Sequence, residues 1–198
     1  MNSVTKEPLD ARYTIPAAPL DKVWLNGALR EVLDRLDTMM PRFTDTFPAA
    51  SAVDGIYPPV EKVDWTEGFW VGMLWLAYEL TGDPEYRKTA EGLLPKFRTR
   101  LEQKVKTNTH DLGFLYSLSC VAAWKLTGNA EARSSALWAA DLLYERYNRT
   151  AGIVQAWGAL DDPAKQGRMI IDCNLNLPLL FWATEETGVQ WYADAAKD

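Results

Sequence analysis

Three stretches of the chain, Trp65 to Thr81, Asp111 to Thr127 and Asp172 to Thr187, place Leu, Ala, Trp and Phe on nearly every face of a helical wheel. That pattern predicts helices buried on most sides. Each is followed by a segment whose apolar residues recur at helical spacing with Lys, Arg and Glu between them: Pro84 to Lys104, Ala130 to Tyr147, and Gln190 to the end. These read as outer helices covering inner ones. An earlier amphipathic segment, Asp21 to Met40, carries Val23, Leu25, Leu29, Val32, Leu33 and Leu36 on one face and stops before Pro41, where the proline ring disfavours continuation. Phe43 to Val63, with Pro48, Pro58 and Pro59, reads as an irregular loop, and only a short piece around Gly152 to Trp157 suggests a strand.

Each apolar stretch ends on the same corner: Glu79-Leu-Thr-Gly-Asp83, Lys125-Leu-Thr-Gly-Asn129 and Glu185-Glu-Thr-Gly-Val189, at spacings of 46 and 60 residues. Three copies make a repeat. A glycine closing an apolar helix predicts a left-handed C-terminal residue, so Gly82, Gly128 and Gly188 mark αα-hairpin turns. The expectation is an all-α protein of α/α-hairpin repeats with about seven helices, the last cut short at Asp198. Residues 1–20 read as an N-terminal extension and 21–198 as one domain. A closed barrel of six hairpins needs roughly twice this length. The chain therefore reads as truncated, with apolar inner-helix surface at the barrel edges through which copies would associate.

A net charge of -6 and pI near 4.9 argue against nucleic acid and anionic membrane surfaces as partners. No run of apolar residues is long enough to span a bilayer and the first twenty residues lack a signal-peptide core, so the expected location is cytoplasmic. Cys120 and Cys173 are isolated within apolar helical patterns and read as buried free thiols. Aromatic residues make up 12% of the chain, which fits a large core or a sugar-stacking cleft. Nucleotide, hydride-transfer and serine-hydrolase motifs are absent.

If the inner helices all run toward their Thr-Gly corners, their starts share the opposite rim. There stand Asp64, Asp111 and Asp172, placed 17, 16 and 15 residues before the corner threonine. An N-cap worth ~1 kcal/mol is the ordinary reading of any one such acid. Several converging acids also make a pocket, in which facing carboxylates push their pKa values apart into a proton donor and an ionised partner. The apolar Met169-Ile-Ile171 before Asp172 predicts desolvation of that carboxyl. His110, the lone histidine, stands beside Asp111, either as a structural residue or as a ligand for a sugar hydroxyl or carboxylate. With no second His and no neighbouring Cys, no metal is expected. Trp65, and Trp157 within Ala156-Trp157-Gly158, read equally as core or as sugar-stacking platforms.

The segments Trp65-Thr-Glu-Gly-Phe-Trp-Val-Gly-Met-Leu-Trp-Leu-Ala-Tyr, His110-Asp-Leu-Gly-Phe-Leu-Tyr and Ile171-Asp-Cys-Asn-Leu-Asn-Leu-Pro-Leu-Leu-Phe-Trp-Ala resemble the unsaturated glucuronyl hydrolases. The related unsaturated rhamnogalacturonyl hydrolases share the first two elements. The resemblance implies part of a six-hairpin α/α barrel acting on unsaturated uronyl oligosaccharides made by polysaccharide lyases. It also implies hydration of the 4,5-double bond without cofactor or metal. Asp172 matches the family's general acid/base and Asp111 its second carboxylate, while His110, Trp65 and Trp157 match substrate-lining positions. A histidine, a glutamine and an arginine that complete the family's substrate clamp belong to the other half of the barrel. Within this chain Arg168 is the candidate substitute. The alternative from another class is a non-catalytic helical-repeat scaffold.

Overall fold

The computed structural model of the chain describes residues 21–60 and 63–198, and the expected N-terminal extension of residues 1–20 lies outside them. The chain divides into two units, Met1–Thr38 and Met39–Asp198. In the first, the amphipathic segment forms helix α1 (Lys22–Met39). Of its apolar face, Leu36 is buried, whereas Val23, Leu25, Leu29 and Val32 are exposed.

The second unit is built from three hairpins, α2 (Glu67–Thr81) with α3 (Pro84–Glu102), α4 (Leu112–Tyr116) and α5 (Ala122–Thr127) with α6 (Ala130–Tyr144), and α7 (Cys173–Thr187) with α8 (Trp191–Lys197). Inner helices α2, α4 and α7 pack side by side, and the outer helices α3, α6 and α8 form a second layer against them. The corners are as the repeat predicts. Gly82, Gly128 and Gly188 all have φ between 71 and 76°, a region open to glycine without steric cost. At the first two corners Asp83 and Asn129 then cap the outer helix through side-chain oxygens that accept from the Glu85 and Ala132 N–H groups. The third corner has no such side chain, and α8 starts from Gln190 without a side-chain cap.

Three details depart from the pattern reading. The second inner helix is not uniform, because α4 and α5 are joined by a π-helical turn, Ser117–Val121. The loop before α2 holds a 3-10 turn at Met40–Arg42 and an antiparallel bridge between Pro48 and Pro59. The hinted strand is the second half of a hairpin, β1 (Tyr147–Asn148) against β2 (Ile153–Val154).

The core lies between the two helical layers and includes Trp70, Trp75, Leu74, Leu93, Phe97, Leu115, Tyr116, Leu143 and Leu179. Outside it, Phe69, Met73, Leu76 and Leu80 form an exposed stripe along α2, and Leu175 and Phe181 are exposed on α7. Cys120 and Cys173 are buried and free. Among the described residues, no helix is long and apolar enough to cross a membrane.

Candidate active site

Two glycines decide how closely the inner helices approach at their starts. A Cβ on Gly68 would stand 2.8 Å from the Leu115 Cα, and one on Gly113 would stand 2.2 Å from the Asn176 Cα. Both distances are impossible for real side chains, so the first turns of α2, α4 and α7 touch backbone to backbone only because these positions lack a Cβ. Asn176 locks the second approach. Fully buried, it accepts from the Phe114 N–H at 3.1 Å and donates to the Asp172 carbonyl at 3.1 Å.

That lock brings His110, Asp111 and Asp172 together. His110 is 1% exposed, and its Nε2 lies 3.4 Å from Oδ1 of Asp111 and 3.4 Å from Oδ1 of Asp172. It is aligned for a hydrogen bond to neither, and Nδ1 is also without a partner. Burial lowers the imidazole pKa, the two carboxylates oppose that shift, and the Arg146 guanidinium adds to it. Asp111 and Asp172 immediately precede α4 and α7, yet neither side chain caps its helix. The ordinary reading of these two acids as N-caps therefore fails, and both carboxylates are directed to the site.

Of the two carboxyls, that of Asp111 is the more deeply buried. The Asp111 side chain is 21% exposed against 33% for Asp172, and burial raises the Asp111 pKa, with a Thr109 hydrogen bond and His110 acting against it. Ile171, expected to help cover Asp172, instead stands 89% exposed. Asp64 also departs from its predicted equivalence. Helix α2 begins at Glu67, three residues after Asp64, with Thr66 at the N-cap. The Asp64 Oδ1 accepts from the Trp65 N–H. Asp64 lines a cavity of about 380 Å³ with Trp65, Lys106, Asn108 and Asp111, but takes no part in the His110 cluster.

The two candidate tryptophans are both surface residues, Trp65 at 48% and Trp157 at 42% exposure. Trp65 packs edge-on against Phe69 and Phe114 beside the cavity. Trp157 bridges antiparallel to Thr109, so its loop is tied to the segment that carries His110. The His110 N–H donates to the Ala156 carbonyl at 2.7 Å, and the Arg168 guanidinium lies 5.6 Å from the Trp157 ring centroid.

Buried polar residues that pattern reading passes over hold this rim in place. Arg146, 2% exposed, donates to the carbonyls of Gln155 and Gly158, and buried Gln155 donates to those of Trp157, Gly158 and Ala159. Burial brings the Arg146 pKa down to about 10, with Asp111 pulling it up, so it stays cationic at neutral pH. On the other side buried Arg100 pairs with Glu67 at 3.1 Å and donates to the carbonyls of Asp64 and Lys106. Only Glu67 and Arg100 carried a local signal, a charge within a helical register; Arg146 and Gln155, outside the helices, carried none.

An α/α-hairpin repeat with a pair of aspartates set around a buried histidine at one rim is the class these features define. The chain belongs to Glycosyl Hydrolase Family 88, whose pattern matches residues 35–198. It is 48% identical over 158 residues to the unsaturated glucuronyl hydrolase of Bacillus sp. (strain GL1), covering 80% of this chain and 42% of that protein. It is 42% identical over 198 residues to the unsaturated chondroitin disaccharide hydrolase of Streptococcus pneumoniae (strain ATCC BAA-255 / R6), covering 100% and 50% of the two. The crystal structure of unsaturated glucuronyl hydrolase from Streptococcus agalactiae superposes with a TM-score of 0.86 at 37% identity, over 91% of this chain and 45% of that one. The three hairpins are thus part of an (α/α)6 barrel. The chain spans about half the length of the curated relatives it matches.

Proposed function

We propose that the protein is a glycoside hydrolase that releases the terminal 4,5-unsaturated glucuronic acid from lyase-generated oligosaccharides by hydrating the vinyl ether. The observation that carries this reading is the convergence of Asp111 and Asp172 on one buried, uncharged-favouring imidazole. Two carboxylates that share a site do not both ionise freely, and an anionic uronate brought beside them further favours one retained proton on the pair. The names of the relatives, a glucuronyl and a chondroitin disaccharide hydrolase, support the substrate class.

In this reading Asp172, the more open of the two carboxyls, delivers a proton to C4 and draws one from the water that adds at C5. The resulting hemiketal opens, releasing the neighbouring sugar and a 4-deoxy-5-keto uronate. Asp111 positions the ring and balances the charge that develops at C5 and the ring oxygen. His110, neutral because it is buried, hydrogen-bonds the uronate, while Trp65 and Trp157 offer faces for stacking. No step requires a cofactor. The free thiols Cys120 and Cys173 suit a reducing compartment, and we place the protein in the cytoplasm.

The test follows the ultraviolet absorbance of the conjugated double bond in an unsaturated chondroitin disaccharide. It uses this chain, the chain continued to the length of its relatives, and the Asp172→Asn variant of each. Decay with a native protein and none with its variant supports the reading. Absence of decay in both native proteins refutes it and favours the helical scaffold.

A further inference from the structure

The geometry points to a binding site for a small apolar carboxylate midway along the inner helices, apart from the His110 rim. Trp75 on α2 and Trp182 on α7 are 1% and 5% exposed, and neither indole N–H has a hydrogen-bond partner among the described residues. A buried indole usually finds one, as Trp70 does in the Phe43 carbonyl and Trp124 in Glu186. The Ser117 hydroxyl is buried and unpaired too, whereas Ser119 donates to the Leu115 carbonyl one turn back, as a serine inside a helix ordinarily does. All three residues, one from the inner layer of each hairpin, line a single cavity of about 370 Å³. Ser117 opens the π-helical turn, a distortion frequent at functional sites. Buried polar atoms left in this state are costly unless a ligand satisfies them.

The unpaired groups decide the ligand's head. An indole N–H can only donate and a serine hydroxyl can do so, so the cavity calls for an acceptor group that serves several donors at once. A carboxylate offers about four lone-pair positions, a carbonyl or hydroxyl oxygen about two. The rest of the wall, including Leu76, Leu118, Val121 and Leu126, is apolar and takes the hydrocarbon body. Glu79 and Lys125, both exposed, line the cavity with opposite charges, so hydrogen-bond donors and not net charge select the head group. Ser117 lies 6 residues after Asp111, and Trp182 lies 10 after Asp172. At ~1.5 Å per residue the cavity is therefore about 9–15 Å from those carboxylates along the helices, a separate site from the one assigned to the sugar.

The experiment titrates octanoate by calorimetry into this chain and into the chain continued to the length of its relatives, and follows the indole N–H signals by NMR. The expected result for both proteins is one octanoate per chain and a Tm that rises with its concentration. Of the nine tryptophan signals, the two that move most should be those missing from the spectra of Trp75→Phe and Trp182→Phe. Ser117→Ala should bind roughly 10-fold more weakly, the cost of one hydrogen bond to a charged group, and 1-octanol should bind the native protein at least roughly 10-fold more weakly than octanoate. Ala122→Leu, which fills the cavity from its wall, should abolish binding without loss of Tm. No saturable binding to the longer protein, shifts confined to other indoles, unchanged affinity in folded Ser117→Ala, or octanol binding as tightly as octanoate overturns the proposal. No sugar enters these readouts, so the site and the hydrolase reading fail independently.

Discussion

Replacing Gly113 with alanine puts a methyl group where α4 meets α7. The added Cβ would stand 2.2 Å from the Asn176 Cα and 2.4 Å from both its Cβ and its carbonyl oxygen. Reaching ordinary contact at 3.4 Å requires a separation of 3.4 − 2.2 = 1.2 Å, and the obstacle is backbone that cannot rotate away. Overpacking of this kind costs ~1–3 kcal/mol. The same movement stretches the 3.1 Å bond from the Phe114 N–H to Asn176, and a buried donor left unpaired costs a further ~1–3 kcal/mol. The sum, about 4 kcal/mol, should lower Tm by on the order of 10 °C in a domain of this size. Because His110 and Asp111 ride with α4 and Asp172 with α7, the contact of 3.4 Å between His110 and Asp172 should open as well. Differential scanning calorimetry measures the first effect. The matched control is Gly92→Ala on α3, where an added Cβ meets nothing within 4 Å and better helix propensity stabilises by up to ~1 kcal/mol. A Gly113→Ala protein whose Tm stays with that control would falsify the close-approach argument.

Asn176→Ala, which deletes the buried acceptor of the Phe114 N–H, should destabilise by about 2–3 kcal/mol, read from denaturant midpoints. Arg146→Met removes the donor to the Gln155 and Gly158 carbonyls and should cost ~2–4 kcal/mol. It should also move the His110 titration upward, because the guanidinium holds that pKa down. Since the chain has a single histidine, NMR reads this directly, and Asp172→Asn should move the same titration downward. The lowered pKa has a definite sign in stability. The unfolded chain takes up the proton near pH ~6.5 and the folded chain only below it. His110 therefore makes stability fall as pH drops through that window and contributes no pH dependence above it. Asp111, with a folded pKa raised above 3.8, acts oppositely. Its stabilising contribution belongs to low pH and is lost as pH rises through the raised value, so Asp111→Asn should raise Tm at neutral pH.

The hairpin architecture was legible in the sequence because its determinants are local. An apolar helix ended by Thr-Gly has few alternatives, since the left-handed residue after it is open to glycine without penalty. Near-equal spacing from Asp111 and Asp172 to their corners, 16 and 15 residues, likewise placed both acids at inner-helix starts, and they immediately precede α4 and α7. What the tertiary structure decided was which groups lose water and which helices touch. Asn176 and Phe114 are 62 residues apart along the chain; nothing near either one announces that an amide will fix the distance between two helices. Asp64 kept the sequence spacing but lost the equivalence, because α2 starts later than the acid. The Asp111 side chain came out more deeply buried than that of Asp172, since burial depends on neighbours that arrive from other hairpins, while the isoleucine beside Asp172 points to solvent. Local pattern set the elements and their polarity; the electrostatics of the site arose from packing between distant segments, where dielectric and contact are properties of the folded chain alone.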